Sequence, residues 1–260
     1  MGWDISYHPL GEDEISAIYF AGIANPELAK TFAERFNVPE FHRENLAKAF
    51  AYNGVTVDSV DGTESMNGSF SKGHGMNLAV VAGHLRKYWY VRGSAMSFLA
   101  DDPDFSGYFS DFRELVPETY RHLRFDNKLT ENYCCGVYMN NAALRRLAEA
   151  MESRPPIREK MANLFSDGRL DVFMAATRYA LDENLGLLEA AEIIEPNPFN
   201  LNSSKSYTNL HNCDPAGAIL FREAAMEQIA AIEREDAASQ EKKEAPPAKQ
   251  SFFSKLFGKK

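Results

Sequence analysis

The sequence predicts a helix-rich α+β fold in which several amphipathic helices pack around a small sheet. Apolar residues recur at helical spacing in several segments; Leu28, Phe32 and Phe36, for example, follow each other at i, i+4 and i+8. Apolar residues alternate with polar ones in two short segments, which is the pattern of strands. Hydrophobic residues make up 45% and charged residues 25% of the chain, as in an ordinary globular protein. We therefore expect a single globular α+β domain over residues 1–235.

Two segments carry the strand signal most clearly. Trp3, Ile5 and Tyr7 alternate with polar residues, which predicts a half-buried strand closed by Pro9. Residues 133–139 have apolar side chains on both faces, so we expect a strand that is covered on both sides. Two shorter strands are predicted, at Val55–Val57 and Ile193–Ile194.

Helices are predicted where capping residues precede apolar periodicity. Asn25-Pro26 and Asp214-Pro215 each combine a good N-cap with a proline at the first helical position. The predicted helices run from Gly11 to Ala21, from Pro26 to Phe36, after Pro39, from about 75 to 90, from Asn140 or Asn141 to Met151, over 170–181 and from Pro215 to about Glu235. Residues 53–75 and 101–118 are predicted to be loops, the second with at most a short helix.

The composition changes after Glu235. Residues 236–250 are Ala, Ser, Glu, Lys, Gln and Pro, which predicts a disordered linker. Residues 251–260 form a short basic amphipathic tail, with four apolar side chains on one helical face and three lysines nearby. This tail could contact an anionic membrane surface or a groove in a partner, or it could be an unstructured solubilising end.

The charge is strongly asymmetric along the chain. The formal net charge is −9, and the last twenty residues hold six Lys and two Glu, so the first 240 residues carry −13. An acidic body repels phosphate backbones, so we expect no binding to nucleic acid. The same charge would attract a basic protein, although it could also serve solubility alone.

The termini and cysteines predict a cytoplasmic location. The opening Met1-Gly2-Trp3-Asp4 has neither the basic nor the apolar region of a signal peptide. No apolar run approaches the roughly 18 residues of a membrane span, so stable membrane insertion is not expected. Cys134, Cys135 and Cys213 are odd in number and two are adjacent, which is poor geometry for disulfides.

Motifs for catalysis, metals and cofactors are absent from the sequence. The six histidines form no His-x-x-x-His pair, and Lys72-Gly73-His74-Gly75 lacks the remaining residues of a phosphate-binding loop. We therefore predict no catalytic residue, no metal site and no cofactor. His211 and Cys213 are the one alternative, because a helix N-terminus can lower a thiol pKa, but Asp214 would equally serve there as a helix cap.

An acidic and aromatic segment is the predicted partner-binding site. Asp101, Asp102 and Asp104 are followed by Phe105 and Tyr108. Aromatic anchors beside carboxylates suit an interface with a basic partner. A solvated loop with ordinary core aromatics is the competing interpretation.

Three segments resemble bacterial immunity proteins of the kind encoded beside type VI secretion toxins, particularly those that guard against cytoplasmic nuclease effectors. They are Met1–Pro9 (MGWDISYHP), Pro196–Leu201 (PNPFNL) and Asn209–Asp214 (NLHNCD). The middle of the chain does not share the resemblance, and no binding residue is carried over from the family.

The resemblance implies a protein that binds a cognate toxin and neutralises it without chemistry of its own. Nuclease domains present basic surfaces to phosphates, so an acidic inhibitor suits them. Two alternatives stay open: a small-molecule enzyme using Cys213 and His211, and a membrane-surface adaptor that acts through the C-terminal tail.

Overall fold

The computed structural model describes residues 3–52, 56–57, 64–65, 74–121, 125 and 135–244. It confirms the α+β class: helices pack on a five-stranded sheet of order β5-β6-β1-β4-β9, beside two small two-stranded sheets. All neighbouring strands are antiparallel except β4 and β9. The strands are β1 (Asp4–Leu10), β2 (Thr56–Val57), β3 (Glu64–Ser65), β4 (Tyr88–Arg92), β5 (Cys135–Met139), β6 (Gly186–Ala191), β7 (Ile194–Glu195), β8 (Lys205–Ser206) and β9 (Cys213–Asp214).

The helices cover both faces of the large sheet. Helices α7, α8 and α9 lie on the face that carries Ile5 and Tyr7 of β1, while α5 and the N-terminal helices lie on the other. The α-helices are α1 (Glu12–Glu14), α2 (Ala21–Ala24), α3 (Leu28–Arg35), α4 (Glu40–Phe50), α5 (Gly75–Leu85), α6 (Phe112–Leu115), α7 (Asn141–Ser153), α8 (Pro155–Leu164), α9 (Arg169–Asp182) and α10 (Pro215–Glu244). A π-helical segment, Ile15–Phe20, joins α1 to α2, so a continuous helix follows β1 as predicted.

The first strand is more central than the sequence predicts. All seven residues of β1 are buried, so the expectation of a half-buried strand is wrong: β1 pairs with β4 on one side and β6 on the other, and helices cover both faces. Pro9 does not close the strand. The ladder with β4 ends at Tyr7, so the missing N–H of Pro9 falls where β1 has a partner on only one side.

Two central strands were predicted as something else or not at all. The helix expected over 75–90 ends at Leu85, and Trp89 lies on β4. Tyr, Trp and Val favour a pleated, buried surface, and this strand pairing outweighs the continuing helical spacing of apolar residues. β6 was not predicted, because a strand buried on both faces shows no alternation.

The C-terminal helix is longer than predicted. α10 ends at Glu244 rather than near Glu235, so residues 236–244 of the expected linker are helical. Ala, Glu, Gln and Lys are strong helix formers, and no proline occurs in this stretch before Pro246. The rest of the linker and the predicted tail 251–260 lie outside the described residues.

Local capping chemistry predicts the starts of α7 and α10 correctly, but the start expected at Asn25-Pro26 is wrong, because α3 begins at Leu28 with Glu27 at its N-cap and no side-chain hydrogen bond there. Asn140 Oδ1 accepts the Ala143 N–H at 2.9 Å at the start of α7, and Asp214 Oδ1 accepts the Ala216 N–H at 3.0 Å at the start of α10. Pro155 ends α7 and begins α8, a helix that was not predicted. Within the described ranges, every helix is too short or too polar to cross a membrane.

Candidate functional site

The aromatic residues of the predicted partner-binding segment belong to the core. Phe105 is fully buried and Tyr108 is 9% exposed, and both join the apolar cluster on the α7–α9 side of the sheet. Their ring centroids lie 6.2 Å apart. A partner could not use these rings as anchors without unpacking that side of the sheet.

The carboxylates of the same segment are bound by cations of the chain itself. Lys160 Nζ on α8 lies 2.6 Å from Asp102 and 3.1 Å from Asp104, and Arg154 lies 3.0 Å from Asp104. The hydrogen bond from Lys160 lowers the pKa of Asp102. Of the three aspartates only Asp101 is exposed. The contacts favour the interpretation of a loop tied to α8 over that of a partner-binding patch.

The second predicted candidate, Cys213, is not an activated thiol. Burial raises its pKa to about 12, so the expected lowering by the helix N-terminus is wrong. The thiol donates to the backbone oxygen of Asp214 at 3.6 Å, and the adjacent strand places it beside Tyr88. His211 is exposed, and the structure gives it no hydrogen bond to the thiol. A thiolate nucleophile is therefore disfavoured at this position.

The buried histidines are neutral core residues. Burial lowers the pKa of His8 to about 3 and those of His74 and His84 to about 4. His8 Nε2 shares a 2.8 Å hydrogen bond with Ser6 Oγ, and its ring stacks on Tyr88. In the part of the chain that the structure describes, no three His, Cys, Asp or Glu side chains converge as metal ligands.

A buried carboxylate, which the sequence reasoning missed, lies at the centre of β6. Glu189 is fully buried and accepts hydrogen bonds from the Tyr7 hydroxyl at 3.0 Å and from the backbone N–H groups of Met96 and Ser97. Burial raises its pKa to about 7. A Cβ at Gly136 on the neighbouring strand would overlap Glu189 Oε1, so a larger residue there would displace the buried, hydrogen-bonded carboxyl group. This network holds the short helix Met96–Leu99 on the sheet.

An acidic surface lies where β1 ends and α7 begins. Two adjoining hollows, of about 370 and 240 Å³, are found there and share Glu12 in their lining. Four exposed carboxylates, which we call the acidic rim, line them: Glu12, Asp13, Asp111 and Glu114. Among the ion pairs between described residues, none involves a rim carboxylate.

Each rim residue has a local reason to be where it is. Glu12 and Asp13 occupy the first turn after β1, where the helix dipole favours negative charge. Asp111 caps α6 by accepting the Arg113 N–H at 2.9 Å, and Glu114 follows within that helix. The fold brings both groups together, because Asn140 at the end of β5 donates to Glu12 Oε1 at 3.2 Å while lining the second hollow.

Neighbouring groups show that the negative charge at this surface is only partly compensated. Glu14 is bound by Arg86, whose Nη1 lies 2.8 Å from Oε2, so this third acidic residue of α1 is neutralised. Arg146 borders the second hollow, but it donates to the Gly107 oxygen at 3.0 Å. Burial, and then the negative charges of α1, raise the pKa of Tyr138 in the wall of the first hollow.

The sequence carried part of this signal. Glu12 and Asp13 stand in the first turn of the predicted helix from Gly11 to Ala21, where the helix dipole favours negative charge, and residues 101–108 combine acidic and aromatic side chains. Their convergence depends on the pairing of β5 with β6 and of β6 with β1, which only the fold reveals. Comparison of the chain with protein-family models, with curated proteins and with solved structures found no match.

Proposed function

We propose that this chain is an immunity-type inhibitor that binds and neutralises a basic toxin, a nuclease effector, in the cytoplasm, and that the acidic rim contacts the toxin. The observation that carries the proposal is the set of four exposed carboxylates, without ion pairs among the described residues, around two adjoining hollows. The first 240 residues carry a formal net charge of −13, which has the same sign as the rim.

The rim suits a partner that presents Lys and Arg side chains. An exposed carboxylate can accept two hydrogen bonds from one guanidinium, and such charge-assisted bonds are among the strongest available at an interface. The hollows of about 370 and 240 Å³ give protruding side chains a place to enter between the carboxylates. A nuclease needs such a basic surface for its phosphate substrate, so covering it both binds the enzyme and blocks its substrate.

The resemblance to immunity proteins points in the same direction from separate residues. The opening segment forms β1, and the segment Asn209–Asp214 leads into β9. These segments belong to the sheet rather than to the rim. The resemblance therefore supports a fold of the immunity-protein kind, while the rim supports a basic partner.

Charge reversal at the rim tests the proposal. The probe is the product of the adjacent reading frame, made as an inactive variant, and its binding is measured by titration calorimetry at low and moderate salt. We expect E12K/D13K and D111K/E114K each to weaken binding by about a hundredfold, because each replaces two attractions by two repulsions. Wild-type affinity should fall with salt more steeply than that of either variant.

A matched control separates the rim from the overall charge. E152K/E159K changes the same number of exposed charges on α7 and α8 and should leave binding close to wild type at moderate salt. Equal losses of affinity in all three variants would show that binding depends on the overall charge and not on the position of the rim. Unchanged binding in both rim variants, or a partner that is harmless to cells lacking this protein, would contradict the proposal.

A further inference from the structure

Helix α10 leaves the body of the protein after its second turn. Gly217 and Ala218 are buried, and a Cβ at Gly217 would overlap the Tyr90 oxygen, so the helix starts in close contact with β4. Phe221, under the Arg92 guanidinium at 4.2 Å, is the last α10 residue in any apolar cluster of the described residues. The helix nevertheless continues to Glu244.

Beyond that point one face of α10 is apolar at its centre. At about 100° per residue, Ile229 lies in the middle of this face, with Met226 and Ile232 about 60° to either side. Met226 is 48% and Ile232 is 51% exposed, while Ile229 is half-buried. The face, which we call the α10 stripe, consists of Arg222, Ala225, Met226, Ile229, Ile232, Glu233 and Asp236.

We propose that the α10 stripe is an interface with a second copy of this chain, in which the two helices pair antiparallel about a two-fold axis at Ile229. Such an interface is isologous, so each contact occurs twice and the assembly closes as a dimer. It uses a surface separate from the acidic rim and does not depend on the proposed inhibitor function.

Charge complementarity selects this partner and this orientation. Arg222 and Asp236 lie seven residues before and after Ile229, so both are about 10.5 Å from it along the helix and within about 20° of its direction. An antiparallel copy places Arg222 against Asp236 at both ends of the stripe. A parallel copy would place Arg222 against Arg222 and Asp236 against Asp236, which is repulsive.

The apolar positions are complementary under the same symmetry. Ile229 meets its own copy on the axis. Ala225 and Ile232 of the copy lie on the same side of that axis and within about 1.5 Å in height, so a small residue faces a large one. On the other side, Met226 lies within about 1.5 Å in height of the aliphatic part of Glu233 of the copy. Small residues opposite large ones allow two helices to approach closely, as in interdigitated cores.

The size of the stripe predicts a weak dimer. Residues 222–237 span about 24 Å along a helix about 10 Å wide. The area is well below the roughly 1,200 Å² of total buried surface that stable complexes need. We therefore expect a dissociation constant in the range of tens of micromolar, roughly that of a transient homodimer.

Sedimentation equilibrium of the full chain between about 5 and 500 µM tests this proposal, with the charge swap as the decisive variant. R222D and D236R should each weaken association about tenfold, because each replaces two attractive pairs by two repulsive ones. The double variant R222D/D236R should restore the wild-type constant. I229E, which places two carboxylates on the axis, should leave only monomer.

Matched controls lie on the same helix but off the stripe. R234D and E227R make the same charge changes more than about 120° away from Ile229 and should associate like the wild type. A wild-type chain that stays monomeric over the whole range overturns the proposal. So does a dimer that I229E leaves intact, or a double variant no better than the single ones.

Discussion

Replacing Glu189 by Gln should change how the stability of the protein depends on pH. Glu189 is fully buried and its pKa is raised to about 7, whereas a carboxyl in the unfolded chain titrates near its ordinary value of 4.5. Between these two values the folded protein holds a proton that the unfolded chain has released. The contribution of Glu189 to the unfolding free energy therefore falls as the pH rises from 4.5 to 7.

The magnitude follows from the two pKa values. The pKa of Glu189 is about 7 in the folded protein, against an ordinary value of 4.5. Each pH unit between these two values lowers the unfolding free energy by about 1.4 kcal/mol. Glu189 therefore lowers the stability by about 3 kcal/mol over this range. The amide that replaces the carboxyl in E189Q keeps its shape and an accepting oxygen for the Tyr7 hydroxyl but does not titrate. The unfolding free energy of E189Q minus that of the wild type should therefore increase by about 3 kcal/mol between pH 4.5 and pH 8.

Urea unfolding of both proteins at pH 4.5, 5.5, 6.5 and 8 measures this difference. The buried histidines titrate in the same range, but they are common to both proteins and cancel in the comparison. E159Q makes the same chemical change at an exposed position of α8 and serves as the control. If the difference in unfolding free energy between the wild type and E189Q stays constant within about 0.5 kcal/mol across this pH range, the reasoning that Glu189 is desolvated and protonated is refuted.

Two further predictions concern the same core. G136A should destabilise the protein by about 3 kcal/mol or prevent folding, because its Cβ would overlap Glu189 Oε1; urea midpoints measure the loss, and a change below about 1 kcal/mol would contradict the close contact. Acid should destabilise the wild type, because His8, His74 and His84 are held neutral and the unfolded chain takes up protons below about pH 6.5. Between pH 6 and pH 5 each of the three histidines lowers the unfolding free energy by about 1 kcal/mol, whereas Glu189 raises it by about 1 kcal/mol. The unfolding free energy should therefore fall by about 2 kcal/mol over this step. A flat or rising curve would contradict the burial of neutral imidazoles.

The parts of the fold that were predictable are those set by local chemistry. Asn140 and Asp214 cap α7 and α10 because a side-chain oxygen reaches an N–H two or three residues ahead, which needs no tertiary contact. Paired prolines at 155 and 156 end α7 for a similarly local reason, although the helix α8 that begins at Pro155 was not predicted. Such features are readable in a window of a few residues.

The parts that were missed depend on contacts across the chain. β6 is a run of Gly, Leu, Leu, Glu, Ala and Ala that has no strand pattern of its own, and it becomes the neighbour of β1 through pairing over some 180 residues of sequence. Glu189 within it is tolerated only because Tyr7 and two backbone N–H groups are brought to it. Neither the strand nor its carboxylate could be inferred from neighbouring residues.

The same limit explains why the predicted and the proposed binding residues differ. Two acidic runs stand out in the sequence, one at 12–14 and one at 101–104, and nothing local tells them apart. In the folded chain Lys160 binds Asp102 and Asp104 of the second run. In the first run Arg86 binds one of the three carboxylates, and the other two have no cation partner among the described residues. A carboxylate that already binds a cation of its own chain must lose that bond before it can bind another, whereas a rim carboxylate has no ion pair among the described residues to lose. A basic partner therefore gains more at the acidic rim than at Asp102 or Asp104, and this difference in pairing, rather than the density of acidic residues, places the proposed contact.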